Sequence, residues 1–204
     1  GLLKGKITGS IDVYEKTTTD MVFPFSVAQS IDPSGFLWLN VGKIRNRGIE
    51  FSINVNAVNT TNFSWSSGFN LASNKNVILD LKGPQQYGVN ADSTYYTQLD
   101  GPGTTGSRLQ ILAVGGPLGQ FYSFDYAGKG ASGNSLFYKK DKTTTANPSN
   151  ISDYHSLGSP QAKLMFGWNN NLRYKNFDLN FFIRGVLGNK IFNATRADLS
   201  YVVT

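Results

Sequence analysis

Residues 49–57 alternate without a fault: Ile49, Phe51, Ile53, Val55 and Ala57 are apolar, and Glu50, Ser52, Asn54 and Asn56 between them are polar. A period of two predicts a β-strand with one apolar and one polar face. The pattern recurs. Over residues 3–16, Leu3, Ile7, Ile11 and Val13 share a face with Gly5 and Gly9, opposite Lys4, Lys6, Thr8, Ser10, Asp12, Tyr14 and Lys16. After a short turn near residues 59–62, Phe63, Trp65, Phe69 and Leu71 alternate with Ser64, Ser66, Gly68, Asn70 and Ala72, which predicts a hairpin. A second hairpin presents Leu164, Phe166, Trp168 and Leu172, turns at residues 174–176, and returns with Phe177, Leu179, Phe181 and Ile183; its other face shows Asp178, Asn180, Phe182 and Arg184. Helical periodicity is nearly absent. Connections rich in Gly, Pro, Ser, Thr and Asn are expected at residues 17–39, 77–107 and 139–160, and residues 109–126 read as strand with mixed faces. No linker divides the chain.

In a soluble sandwich the apolar face is the core; in a membrane barrel it meets lipid and the polar face lines a lumen. Strands of about eleven residues at ~3.3 Å each, tilted by ~40°, match the ~25 Å apolar band of an outer-membrane barrel. The polar faces are built from Ser, Asn, Gly and Thr with few Lys or Glu, which suits a wet lumen. Aromatic residues gather beside the short turns, Phe63 and Trp65 at one, Tyr174 and Phe177 at the other, as an interfacial girdle requires. The barrel is the favoured reading.

Composition supports it. Only 16% of the 204 residues are charged, against about a quarter in ordinary soluble domains. The net charge of +6 is scattered, with no basic run dense enough for nucleic acid; a solvated or lipopolysaccharide-facing surface accounts for it. The chain has no cysteine and a single histidine, His155, which excludes disulfides, cysteine nucleophiles and multi-histidine metal sites. No apolar run reaches the ~18 residues of a transmembrane helix, a limit that does not apply to barrel strands. The chain begins at Gly1 with neither an initiator Met nor a leader, so a processed or partial chain is expected.

Candidate chemistry is thin. His155 with Asp153 and nearby serines lacks a nucleophile elbow and an oxyanion-hole signature. Glu50 and Asp178 are acids on the polar faces of different hairpins, and lumen polarity explains them better than glycoside hydrolysis. The glycine-rich GPGTTGS and AGKGASG lack the ending of a P-loop. No catalytic, cofactor or metal residue is assigned. Tyr95, Tyr96, Phe121, Tyr122, Phe124 and Tyr126 are candidate contacts to a substrate or a covering protein, because aromatic rings stack on sugar faces; packing of loop on loop, or a place in the interfacial girdle, is the heavier alternative. Glu50, Ser52, Asn54, Asn56, Asn70, Asp178, Asn180 and Arg184 are the candidate lumen lining.

Four blocks, NVGKIRNRGIEFSINVNAV, FSWSSGFNLASNKNVILDL, GGPLGQFYSFDYAGKG and LGSPQAKLMFGWNNNLRYKNFDLNFFIRGVLGNKIFNATR, resemble consecutive parts of the SusC/RagA family of TonB-dependent outer-membrane transporters of Bacteroidetes-type bacteria. The resemblance rests on Asn40, Gly42, Asn46, Arg47, Gly48, Ile49 and Glu50, then Trp65, Asn70, Asn74, Lys75 and Asn76, preceded by Tyr14, Lys16, Thr19 and Asp20 and followed by Tyr174, Lys175, Asn176, Phe177, Asp178 and Leu179. It implies an all-β, antiparallel transmembrane barrel segment over residues 1–204, with long extracellular loops and short periplasmic turns, taken from a large barrel that also holds a plug. It further implies import of an oligosaccharide or peptide, a SusD-like surface lipoprotein as lid, TonB as energy source, and contact with outer-membrane lipid and lipopolysaccharide. The acidic, calcium-suited loop of many family members is replaced here by YKKDKTTTANPSNISDYHSLGSP, so no calcium site is carried over. The rivals are a soluble extracellular β-sandwich (a carbohydrate-binding module or adhesin), a jelly-roll hydrolase, and a small barrel closed by this chain alone.

Overall fold

The computed structural model describes residues 1–82, 92–99, 107–149 and 151–199. They form eleven strands, one 3-10 turn (Ile151–Asp153) and one short α-helix: β1 (Ile7–Ser26), β2 (Phe36–Asn59), β3 (Phe63–Asp80), β4 (Ser93–Leu99), β5 (Ser107–Ala113), β6 (Gln120–Lys129), β7 (Ser135–Tyr138), β8 (Thr144–Thr145), β9 (Tyr154–Gly158), β10 (Leu164–Tyr174), β11 (Phe177–Leu187) and α1 (Ala194–Leu199). The pairings β3–β10, β10–β11, β4–β5, β5–β6, β6–β7, β6–β9 and β7–β8 are all antiparallel. One sheet has the order β1-β2-β3-β10-β11; the other runs β4-β5-β6-β7-β8, with β9 paired to β6. β3 therefore pairs with β10, and everything between them is an excursion from the wall of the first sheet.

The strands are longer than their periodicity predicts. β1, β2 and β3 have 20, 24 and 18 residues, while β10 and β11 have the expected 11 each. The connection expected at residues 17–39 shrinks to a turn, in which Asp32 accepts hydrogen bonds from the Ser34 N–H (2.8 Å) and hydroxyl (2.6 Å). Those two donors hold the Asp32 carboxyl below its ordinary range. At the other end, β1 begins at Ile7 and not at Leu3: Leu3, Lys4 and Gly5 form a turn at positive φ, closed by the Leu2 to Ile7 bridge.

The residues cluster into two compact units, Gly1–Thr17, Arg45–Asn76 and Ala162–Asn189 in one, and Thr18–Ile44, Val77–Gln161 and Lys190–Thr204 in the other. In the first, cross-strand rows can be read directly. The β3–β10–β11 register places Phe63, Tyr174 and Phe177 in one row, Trp65, Leu172 and Leu179 in the next, then Ser67, Asn170 and Phe181, then Phe69, Trp168 and Ile183, then Leu71, Phe166 and Gly185. The β1–β2 register is set by the Ser10 to Ser52 hydroxyl contact (3.0 Å) and the Glu15–Arg47 ion pair, and Asn54 against Gly68 aligns β2 with β3. Ile11, Phe51 and Leu71 then share a row, as do Val13, Ile49 and Ser73. This face is apolar for the whole length of β11, and it is open: Ile11 is 69%, Val13 77%, Leu179 59% and Phe177 77% exposed.

The second unit has its own core, in which Phe23, Phe25, Ile44, Ile78, Leu81 and Leu112 are buried and Met21, Val27, Leu39, Val41 and Leu118 pack against them. Each buried side chain contributes about 1.5–3 kcal/mol. The core uses a change of face on β1. Up to Glu15, odd positions share the face of Arg47 and Ile49; further along, odd-numbered Met21 and Phe23 lie against even-numbered Gly42. The intervening Asp20 has φ +56°, and one extra residue in a strand with left-handed backbone is how a β-bulge re-aims the side chains beyond it. Gly42 is the partner because the Phe23 ring occupies the space a side chain there would need.

Candidate functional site

The residues expected to line a lumen fall on one face of the first sheet. Ser52 meets Ser10, and the Asn54 amide lies over Gly68. Asn70 and Arg184 stand in the row of Gly167, Asn180 shares a row with Asn171 and Ser66, and Asp178 stands opposite Arg173. Asn56 donates its backbone N–H to the Lys6 carbonyl at 2.8 Å. Glu50 joins this face by alternation, many rows from Asp178, so the two carboxylates form no cleft pair. Apolar residues interrupt the polar face on the last two strands, where Met165 pairs with Val186 and Phe182 with Asn169.

One polar cluster explains several motif residues together. Tyr14 lies over Gly48, where any side chain would collide with its ring, and its hydroxyl donates to Asn74 Oδ1 at 3.4 Å. Asn74 and Asn76 donate to Asn46 Oδ1 at 3.4 and 2.9 Å. The Asn46, Gly48, Asn74 and Asn76 spacing is thus one hydrogen-bonded network across β1, β2 and β3.

The second candidate group lies in the excursion. Tyr95, Tyr122, Phe124 and Tyr126 are brought together, but Phe121 alternates to the other side and is buried at 9% exposure. Tyr96 belongs to β4, with its side chain outside the described residues. Tyr154 and Phe137 complete the cluster: Tyr154 stands edge-on to Phe124 at 4.7 Å and to Tyr122 at 5.8 Å, and Phe137 tilts against Phe124 at 5.8 Å. The Arg108 guanidinium lies 5.1 Å from the Tyr95 ring centre. Burial pushes the Tyr95 phenol up, the nearby Tyr122 and Tyr154 phenols add to this, and Arg108 opposes it. Tyr154, Phe137 and Arg108 are not singled out by the sequence because short, irregular strands hide their register. His155 stands across from Ser123 in the β6–β9 register, but its described side-chain contact is to the backbone, Nε2 lying 3.1 Å from the Tyr138 carbonyl.

No family model matches the chain. Over 97% of its length the chain is 28% identical to TonB-dependent receptor P3 of Formosa agariphila. Over 94% it is 31% identical to receptor P26 of the same organism, and over 94% it is 28% identical to TonB-dependent receptor SusC of Bacteroides thetaiotaomicron. It spans about a fifth of each, 20%, 20% and 19% of their lengths. Among solved structures it superposes on the RagAB peptide importer in its open-open state with TM-score 0.73, over 91% of this chain and 19% of that one at 21% identity. The closed-closed state gives 0.72 over 90% and 19% at 20% identity. With sequence likeness over nearly its whole length, the motif residues in one network and the strands of a barrel wall, this chain belongs to the SusC/RagA family of TonB-dependent receptors.

Proposed function

We propose that the chain forms a stretch of the barrel wall of an outer-membrane importer, in which it separates lipid from a polar passage and presents a folded loop unit outside. The observation that carries this reading is the open apolar face of the first sheet, from Phe177 to Leu187 on β11 and from Ile11 and Val13 to Ile49 on β1 and β2. A soluble sandwich would bury that face, and among the described residues nothing does. β1 and β11 stand at the two ends of the sheet order, which disfavours a small barrel closed by this chain alone. Glu50, Ser52, Asn54, Asn56, Asn70, Asp178, Asn180 and Arg184 then face the lumen, where they meet solute or a plug. The short turns after β2 and β10 lie on the periplasmic side, and the excursion between β3 and β10 lies outside.

The imported solute is an oligosaccharide or peptide, held beneath a SusD-like lipoprotein, with energy from TonB. Support comes from the family and from the aromatic cluster around Tyr95, Tyr122 and Tyr154, whose phenols and rings suit sugar and peptide surfaces. The chain has a wall's role and performs no bond chemistry. Growth on defined oligosaccharides and peptides tests this in cells carrying the full-length protein. Uptake of one such solute should require both the protein and an intact TonB, and uptake that persists without TonB contradicts the reading.

A further inference from the structure

The apolar face ends abruptly. Its last row is Val13, Ile49 and Ser73; the next row on the same face is Glu15, Arg47 and Lys75, with Arg45 one step farther along β2. The Glu15 carboxylate accepts from Arg47 Nε, and the alignment of Asn54 with Gly68 puts Lys75 across from Arg47. A shallow, open groove of about 500 Å³ is lined by residues of both rows, among them Val13, Ile49, Ser73, Glu15, Arg47 and Lys75. Both sides of the ion pair are exposed, at 56% and 47%.

We propose that this groove seats the phosphate of an anionic lipid whose acyl chains cover the apolar rows; the proposal rests on the membrane reading above. An apolar floor joined to a cationic rim complements an amphiphile with its charge at the junction. Glu15 engages Arg47 through Nε, which fixes the guanidinium and leaves its Nη donors for two phosphate oxygens. Lys75 can lay its alkyl stem along the last apolar row and carry its ammonium to the same level. At the groove Arg47 and Lys75 outnumber the single carboxylate of Glu15. A free phosphate would use the rim without the floor, and a neutral lipid the floor without the rim.

The test uses the full-length protein in a neutral detergent, with monophosphorylated lipid A, the same lipid dephosphorylated, and inorganic phosphate as probes, and retention read by native mass spectrometry. The phosphorylated lipid should be retained, and an Arg47→Gln/Lys75→Gln variant should hold it roughly tenfold more weakly. Equal retention by the variant, equal retention of the dephosphorylated lipid, or equal occupancy by inorganic phosphate overturns the site. If the double variant fails to fold, Lys75→Gln alone, which breaks no described hydrogen bond, makes the same comparison. Gel migration before and after boiling separates the two ideas. A parent protein that never shows a compact, heat-sensitive barrel form overturns the membrane reading and the lipid with it; a parent that shows that form but fails the lipid comparison overturns the groove alone.

Discussion

Asn170 is a polar residue on the apolar face, and it is only 1% exposed. Its Oδ1 accepts from the Trp65 indole N–H at 3.1 Å, while Ser67, its cross-strand neighbour, accepts from the Trp168 indole at 2.9 Å. Polar groups against an apolar medium have no water to turn to, so a partner within the protein matters; the two indoles supply one for Asn170 Oδ1 and one for Ser67, while Asn170 Nδ2 is buried without a hydrogen-bond partner among the described residues. Trp65→Phe should therefore cost about 1–2 kcal/mol, measured as the urea midpoint of the full protein in lipid vesicles. Asn170→Leu in the Trp65→Phe background should recover part of that loss, since the orphaned acceptor is gone. The interrupted period at Ser67 and Asn170 is visible in the sequence, but its remedy is not, because the indole hydrogen bonds depend on a register that joins residues about a hundred positions apart. Tyr95 gives a residue-scale prediction with a sign. Its folded value is raised, chiefly by burial, so its contribution to stability is whole below the ordinary tyrosine value of about 10 and is lost as pH rises through the folded value. Tyr95→Phe should flatten the fall in unfolding midpoint on the alkaline side; an unchanged profile would show that Tyr95 carries none of that fall.

At the scale of elements, Asp20 sets which side chains at the end of β1 enter the core around Ile44 and Ile78. Its left-handed backbone shifts Met21, Phe23 and Phe25 onto the face of Gly42 and Ile44. Asp20→Gly should be tolerated, whereas Asp20→Val should cost about 1–2 kcal/mol, because a branched side chain resists that conformation. Proteolysis of the loop unit under native conditions reads the difference. The two tight turns, and which residues share a face beside them, were legible from period two alone, since turn length and alternation are local. The continuation of β1 and β2 past residue 17 and before residue 39 was not, because a bulge reverses the alternation and a run such as Thr17, Thr18 and Thr19 has no apolar face to follow. The excursion's strands were blurred for the same reason: register shifts interrupt β4 against β5, β6 against β7 and β6 against β9.

For the molecule as a whole, the alternation of Ile49, Phe51, Ile53 and Val55 with Glu50, Ser52, Asn54 and Asn56 requires one face to meet apolar surroundings, and the structure leaves that face open. Motif residues such as Asn46, Gly48 and Asn74 identify the family at sequence level, and the structure supplies their physical reason, a network that pins three strands. The central claim, that the apolar face meets lipid and the polar face a lumen, is tested most directly by one paired measurement on the full-length protein: the folded, heat-sensitive barrel recovered in the outer membrane for Ile53→Arg against Asn54→Arg. Ile53 lies midway between the aromatic row at the turns and the charged row at Arg47, so an arginine there should cost about 2–4 kcal/mol of assembly and deplete the folded form, while Asn54→Arg assembles as the parent does. Normal assembly of Ile53→Arg with failure of Asn54→Arg would mean that the faces are reversed.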